Sequence, residues 1–252
     1  MKYIVFSFDD GMIDFKERAL PILNKYNYKA SVNVISGYSD KTIADRYDCL
    51  DVNDLKNLYN NKFELANHTN SHLKSASYQE LQECNNKLNE WCSTLNKTYG
   101  IIMPKYVQPC ADATKYIKIN KPPYISFEKR MLKNYFNLFR CIKWKIASIF
   151  NPTFFNKMCY VMQVKMYKKG HVRCFRRVEV KNTIEPDLLF ESLKTIKESY
   201  CITLCFHSIT HDLHNCPYPK GAWTPEKFDK LCSLIHKDKN FNVITQIEAV
   251  LG

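Results

Sequence analysis

Ionisable residues follow three short apolar runs of the sequence, and their types are those that bind divalent metal ions. Asp9 and Asp10 end the first run, His68 and His72 follow a second, and His207 ends a third. Two imidazoles and one carboxylate form a ligand set for Zn²⁺ that leaves one coordination position open to water. The spacing of His68 and His72 predicts that both imidazoles lie on one side of a helical turn. Asp-Asp-Gly is also an ordinary turn sequence, so the first run alone supports a site and a plain turn equally.

The residues that must position these side chains alternate between strand and helix patterns. Apolar, β-branched runs predict strands over 3–8, 30–35, 63–67, 105–109, 172–180, 201–206 and 241–244. Amphipathic spacing predicts helices over 15–23, 51–60, 78–95 and 187–200, and one that begins after Thr224. Asp14 is the predicted N-cap of the first helix. This alternation is typical of parallel βα units, which carry their sites at the carboxyl ends of the strands. Adjacent side chains on a strand point to opposite faces, so Asp9 and Asp10 are expected to do different work.

Composition limits the domain organisation and the compartment. The 252 residues, 45% of them hydrophobic, suffice for one large α/β domain over residues 1–252. The eleven cysteines form no Cys-x-x-Cys pair, which favours reduced thiols over a disulfide framework or a zinc ribbon. No export signal and no membrane-spanning run of about 18 apolar residues is recognisable. We therefore expect a cytoplasmic protein.

Positive charge is concentrated in one segment. Residues 113–178 contain sixteen Lys/Arg and one acid, Glu128, in a chain whose net charge is +12. Residues 113–170 interrupt the βα pattern, which predicts a basic insert with an amphipathic helix over 129–150. Such a helix is either a solvated basic face or an interfacial helix that binds an anionic membrane surface or a lipid-linked glycan. No nucleic-acid recognition fold is apparent, so we expect no nucleic-acid partner.

Three motifs resemble those of the polysaccharide deacetylase family, the NodB-homology enzymes of carbohydrate esterase family 4. Phe6-Ser7-Phe8-Asp9-Asp10-Gly11 is similar to the family's [TS]-F-D-D-G, and His68-Thr69-Asn70-Ser71-His72 to its H-[ST]-x-x-H. Leu204-Cys205-Phe206-His207 resembles its late leucine–histidine motif. The resemblance covers residues 1 to about 110 and 170 to 250, and leaves the insert unexplained. It implies an irregular (β/α)7-type barrel and a hydrolase that removes an N-acetyl or similar acyl group from an amino sugar, as in cell-envelope glycan biosynthesis.

The same resemblance implies a role for each motif residue. Asp9 is the expected general base, and His207 the expected general acid. Asp10, His68 and His72 are the expected metal ligands. Zn²⁺ is the preferred ion, with Co²⁺, Ni²⁺ or Mn²⁺ as alternatives.

The sequence departs from the family pattern around its third and fourth motifs. Val107 stands where an arginine usually pairs with the catalytic aspartate, and Cys110 and Ala111 follow Pro109 in place of an aromatic residue and a glycine. Pro109 and Cys110 are still expected at the substrate rim. The Asp-Trp of the fourth motif is not recognisable, and Arg176 is the predicted replacement for the missing cation beside Asp9. These departures keep open an alternative function, a catalytically weakened relative that binds sugar or acts as a scaffold.

Further residues near the late leucine–histidine motif allow two interpretations each. His211 and His214 follow His207 at metal-ligand spacing, but they come after no strand, which favours exposed positions at the rim of the pocket. Trp223 is expected either to stack on a sugar at the rim or to pack beneath the helix that follows it.

Overall fold

The computed structural model describes residues 1–42, 48–72, 78–103, 154–170 and 177–251. In this part of the chain the strands are β1 (Lys2–Phe8), β2 (Ser31–Val34), β3 (Glu64–Asn67), β4 (Tyr167–Lys168), β5 (Arg177–Glu179), β6 (Tyr200–Phe206), β7 (Ser208–Ile209), β8 (Ala222–Trp223) and β9 (Phe241–Val243). The helices are a π-helical turn (Phe15–Ala19) that continues into α1 (Leu20–Lys25), then α2 (Ser36–Ser39), α3 (Val52–Asn60), α4 (Tyr78–Tyr99), α5 (Phe154–Lys165), α6 (Pro186–Leu193), a 3₁₀ turn (Pro219–Gly221), α7 (Pro225–Lys237) and α8 (Gln246–Leu251).

Strands β1 and β6 form the centre of the main sheet. The strand order is β3-β2-β1-β6-β4, with β5 also paired to β6 and β9 also paired to β1. All of these pairings are parallel except that of β4 with β6. The result is a mixed α/β fold with a sheet curled into a half-barrel, which confirms the predicted fold class. The carboxyl ends of β1, β2, β3 and β6 therefore meet at one edge of the sheet.

The outer face of β1 packs beneath the helices. Ile4, Phe6 and Phe8 are buried in the main hydrophobic core. The Phe6 ring lies 5.5 Å from that of Phe228 on α7, and the Phe8 ring stacks on Phe206 at 5.4 Å. Burial of each such side chain contributes roughly 1.5–3 kcal/mol to the stability of the fold, which anchors the strand whose end carries Asp9 and Asp10.

The inner face of the curled sheet is polar near this edge. Ser7, Thr203 and Cys205 alternate with the core residues of β1 and β6, so they point to the opposite side. Asn33 on β2 donates a hydrogen bond from Nδ2 to Ser7 Oγ at 2.9 Å. The fold thus encloses a polar interior beneath the strand ends.

The starts of α3 and α7 follow from their cap residues. Asp51 and Asp54 form a capping box at the start of α3, and Thr224 Oγ1 accepts a hydrogen bond from the Lys227 amide at the start of α7. Asp14 stands at the predicted N-cap position of the first helix, but its side chain makes no capping hydrogen bond. That carboxylate bonds elsewhere, as described below.

The last part of the predicted insert packs in the core. In α5, Met158 and Met162 are buried, and β4 pairs with β6. The predicted helix over 129–150 and the rest of the basic segment up to residue 153 lie outside the described residues. Among the residues that are described, no helix is long and apolar enough to cross a bilayer.

Candidate active site

The candidate residues meet at the carboxyl edge of the sheet. Asp9 and Asp10 follow β1, His68 follows β3, and His207 follows β6. The ladder continues past the strand ends, since the Asp9 amide donates to the Phe206 carbonyl at 2.9 Å and the His68 amide donates to the Val34 carbonyl at 2.7 Å. Asp10, His68 and His72 each place one potential ligand atom within 4.8 Å of the other two.

The geometry around Asp10 fits a divalent cation. Its Oδ1 lies 3.2 Å from His72 Nε2 and 3.4 Å from His68 Nε2. Both carboxylate oxygens are buried, and neither accepts a hydrogen bond from any described residue. A buried carboxylate without such a partner is costly, and an ion held between this oxygen and two imidazoles would remove that cost. Burial raises the pKa of Asp10, but the contacts with His68 and His72 outweigh it and hold that pKa below its usual value.

Left-handed backbone aims these ligands. Asp10, Thr69 and His72 have φ angles of +74°, +72° and +50°. Such conformations are costly for residues other than glycine, most of all for β-branched threonine, and they concentrate at functional sites. The predicted helical turn over 68–72 is wrong: the segment is an irregular loop, closed by a hydrogen bond of 3.0 Å from the His72 amide to Thr69 Oγ1.

The left-handed backbone at Asp10 also corrects the expectation that the side chains of Asp9 and Asp10 face opposite sides of the sheet. Strand β1 ends at Phe8, and the left-handed Asp10 turns its carboxylate back towards the site. His68 Nε2 is consequently 3.4 Å from Asp10 Oδ1 and 3.7 Å from Asp9 Oδ2. The two carboxylates share a neighbour but differ in their other partners.

Asp9 is held by a cation and an amide. Arg177 Nη1, on β5, lies 2.5 Å from Oδ1 and 2.7 Å from Oδ2, and Asn33 Nδ2 donates to Oδ1 at 2.6 Å. Burial raises the pKa of Asp9, but Arg177, the nearby histidines and Asn33 together lower it well below its usual range. A cation beside Asp9 was predicted from Arg176; that residue lies outside the described residues, and the guanidinium observed there belongs to Arg177.

His207 lies against a glycine and a tyrosine. Its ring centroid is 5.2 Å from that of Tyr218, and a Cβ added to Gly221 would lie 3.2 Å from its Nδ1. This Nδ1 is buried and has no hydrogen-bond partner within the described residues. A ligand atom of His207 lies within 4.8 Å of atoms of Asp9 and Cys205.

Asp14 joins the loop after β1 to the strand after His207. Its Oδ2 accepts a hydrogen bond from Ser208 Oγ and another, of 2.9 Å, from the Ile209 amide. Burial raises the pKa of Asp14 to about 6, against the opposing effect of these hydrogen bonds. Through these hydrogen bonds, Asp14 links the segment that carries His207 to the segment that carries Asp9 and Asp10.

Sequence comparison identifies the family. A family model described as polysaccharide deacetylase matches residues 1–133, which contain the first two motifs. The chain belongs to the polysaccharide deacetylase family. No curated protein matches this deacetylase-family chain in sequence.

Solved structures share the fold of this polysaccharide deacetylase family member at low identity. The T48 deacetylase, solved with substrate, has a TM-score of 0.53 and 13% identity, over 98% of this chain and 90% of its own. The peptidoglycan deacetylase PdaC from Bacillus subtilis has a TM-score of 0.50 and 13% identity, over 98% and 89%. A mutant of BA3943, a family 4 pseudoenzyme, has the same TM-score and identity, over 98% and 67%.

The predicted rim residues of this deacetylase-family site have different outcomes. Trp223 is 1% exposed, packs edge-on against Phe206 and donates from Nε1 to the Lys181 carbonyl, so the packing interpretation holds and it is not a rim residue. His211 and His214 are exposed, and His211 pairs with Glu226. Pro109 and Cys110 lie outside the described residues.

Sequence reasoning missed Arg177 as the cation, Asn33, and the placement of Asp14. Asn33 and Arg177 are polar residues inside predicted strands. A polar side chain that is buried in a strand needs a hydrogen-bond partner, and this requirement could have indicated both residues. Asp14 carried the signal of a helix cap, which is a more common role for an aspartate before an amphipathic run.

Proposed function

We propose that this protein removes an N-acetyl or similarly small acyl group from an amino sugar of a glycan or glycan precursor, with a divalent metal ion as cofactor. The supporting observation is the buried carboxylate of Asp10, which faces two imidazoles, has no hydrogen-bond partner in the described part of the chain, and lies beside a second carboxylate. Membership of the polysaccharide deacetylase family supports the substrate class.

Asp10, His68 and His72 would hold the ion. Two nitrogen ligands and one oxygen ligand favour Zn²⁺, with Co²⁺, Ni²⁺ and Mn²⁺ as alternatives. The ion would polarise the amide carbonyl and lower the pKa of water to about 7.

Asp9 is proposed to take the proton of the attacking water. Arg177 keeps this carboxylate ionised at neutral pH, and Asn33 on the neighbouring strand β2 fixes its orientation. Because Asp9 carries its charge before substrate arrives, no proton has to leave it first.

His207 is proposed to donate a proton to the leaving amine. An amide nitrogen leaves readily only when it is protonated, so the cleavage needs an acid beside the base. The contacts with Tyr218 and Gly221 fix the ring that carries the proton. The products are acetate, or the matching small acid, and a free amino sugar.

The basic segment supports a location for the reaction. Residues 113–178 carry sixteen Lys/Arg against one acid, and each such residue near an anionic leaflet contributes about 1 kcal/mol to binding. We propose that the protein acts in the cytoplasm at the inner membrane face, on a lipid-linked glycan.

Co-sedimentation with liposomes tests this location. The bound fraction of protein should rise with the fraction of anionic lipid and fall with salt; binding that is insensitive to both would contradict the proposed location.

An acetate-release assay tests the catalytic proposal. The protein is stripped of metal, then assayed on N-acetylated amino sugars and their oligomers before and after addition of Zn²⁺ or Co²⁺. We expect release only with metal, and loss of both metal and activity in His68→Ala. His236→Ala is the control, since His236 packs against Tyr26 on the outer helices. Metal-independent acetate release, or full activity of His68→Ala, would overturn the proposal.

A sugar-binding or scaffolding role is the second candidate. Val107 at the third motif favours it, and a pseudoenzyme shares the fold. Arg177 opposes it, because it restores a cation beside Asp9. Binding of an N-acetylated oligosaccharide without acetate release, in metal-loaded protein, would favour this role over the enzyme.

A further inference from the structure

Cys205 lies beside the two residues to which the proposed function assigns proton transfer. One ligand atom each of Asp9, Cys205 and His207 lies within 4.8 Å of the other two. The sheet register produces this arrangement. Cys205 and His207 are two positions apart on one chain segment, and the Asp9 amide bonds to the carbonyl of the intervening Phe206. The proposed reaction gives the buried thiol no task.

The three donors together form a metal-ligand set. A thiolate, an imidazole and a carboxylate suit Zn²⁺ and its thiophilic relatives, and a sulfur donor selects against Mg²⁺ and Mn²⁺. A second observation points the same way. His207 Nδ1 is buried without a hydrogen-bond partner among the described residues, and metal coordination is one way to satisfy such a nitrogen.

We propose that Asp9, Cys205 and His207 form a second, inhibitory site for a thiophilic divalent cation such as Zn²⁺. The inhibitory consequence rests on the proposed function, because it follows from the roles of Asp9 and His207 in proton transfer. The binding itself does not depend on those roles.

The second ion binds more weakly than the first for three reasons. Arg177 already contacts both oxygens of Asp9 and must give up part of that contact. An ion at Asp10 and His68 repels another close by, since His68 Nε2 is 3.7 Å from Asp9. Burial raises the pKa of the Cys205 thiol, so binding must also displace its proton to solvent.

This order of affinities gives a metal dependence with two limbs. The first equivalent of Zn²⁺ supplies the catalytic ion. The second engages the base and the acid together, so neither can transfer a proton to or from substrate. Activity therefore rises to one equivalent and falls beyond it.

A titration with Co²⁺ tests the site without reference to hydrolysis. Metal-free protein is titrated while near-ultraviolet absorption is followed, because a thiolate bound to Co²⁺ gives a charge-transfer band there. We expect two equivalents to bind in order, with the band appearing only with the second. Cys205→Ser should bind one equivalent without the band. Cys201→Ser is the matched control, since this cysteine is buried near the other end of β6 against Val5, and it should behave as wild type.

Two outcomes would overturn the site. One is a wild-type titration that ends at one equivalent or shows no thiolate band. The other is a band that persists in Cys205→Ser, which would place it on another cysteine. Circular dichroism checks that this variant folds. If it does not, His207→Ala decides: it should weaken the second step by about tenfold or more and leave the first unchanged, and an unaltered second step would refute the proposal.

Kinetics separate this inference from the proposed function. The readout is the ratio of activity at excess Zn²⁺ to activity at one equivalent, which should be low in wild type and near unity in Cys205→Ser. A thiolate band at the second equivalent in a protein that releases no acetate would contradict the proposed function but support the second metal site. Metal-dependent acetate release without that band would sink the site alone.

Discussion

Arg177 Nη1 lies 2.5 Å from one carboxylate oxygen of Asp9 and 2.7 Å from the other, although the two residues are 168 positions apart. The pair joins β5 to the end of β1 across β6. Arg177 is 23% exposed and Asp9 only 4%. The cation therefore offsets the burial of a carboxylate that would otherwise be unpaired, and removing it leaves Asp9 without its strongest partner.

Arg177→Ala should lower kcat/KM by about tenfold to a hundredfold. A hydrogen bond to a charged group contributes about 1.5–3 kcal/mol. Loss of this bond removes a similar amount of transition-state stabilisation, because Asp9 must be ionised and in place to act as the base. Arg177→Lys should recover part of the loss, because it restores charge without the guanidinium's fixed geometry. Steady-state kinetics on an N-acetylated sugar measure both.

Arg176→Ala is the comparison for that experiment, because the sequence alone points to Arg176. It should stay close to wild type. Wild-type turnover in Arg177→Ala, with a loss in Arg176→Ala, would show that the pair does not serve catalysis.

The core of the site could be predicted because two signals coincided. Asp9, Asp10, His68 and His207 are chemically distinctive residues at the ends of apolar runs, and parallel strands bring those ends together. The strand boundaries are correct to within about one residue at β1, β3 and β6. Residue type and strand position were enough to place these groups at one sheet edge.

The other features of the site depend on strand register and backbone conformation, which cannot be predicted from local sequence patterns. Arg177 pairs with Thr203 on the inner face of β6, and a shift of one residue would have sent Arg176 inward instead. His72 reaches Asp10 through a left-handed loop and not through a helical turn. Asp14 stands at its predicted N-cap position, but its carboxylate accepts hydrogen bonds from Ser208 and Ile209, which are distant in sequence.

Metal removal should lower the stability of the protein. An ion that binds only the folded state stabilises it by about 2.7 kcal/mol at a hundred times its dissociation constant. Chelation should therefore lower the midpoint of thermal unfolding in wild type. In Asp10→Ala the same chelator should lower the midpoint by much less, because only the weaker second site remains. An equal shift in both proteins would mean that the stabilising ion binds elsewhere.

Asp14 should make stability fall as pH rises. Its pKa is about 6 in the folded protein against an ordinary value of 3.8, so between these values the folded state binds the proton more tightly than the unfolded state. Ionisation then favours unfolding, by about 3 kcal/mol once pH exceeds 6. About 1 kcal/mol of this change falls between pH 5 and pH 7.

Asp14→Asn tests this dependence. The amide keeps an acceptor for the Ile209 amide but cannot ionise. Urea unfolding at pH 5 and pH 7 should show the variant gaining about 1 kcal/mol relative to wild type at the higher pH. A difference between the two proteins that is constant with pH would show that Asp14 does not titrate in this range.

Gly221→Ala should slow catalysis by crowding His207. The added Cβ would lie 3.2 Å from Nδ1, so the imidazole must move by a few tenths of an ångström. The glycine has no left-handed φ, so the substitution acts through this contact and not through backbone strain. Since a displacement of about 1 Å can cost about a hundredfold in rate, kcat should fall by about tenfold with KM nearly unchanged. Lys220→Ala, at the exposed preceding position, should retain wild-type kinetics. A normal kcat in Gly221→Ala would mean either that the ring accommodates the methyl group freely or that His207 takes no part in the rate-limiting step. In both cases the close approach of Gly221 to His207 would not matter for catalysis.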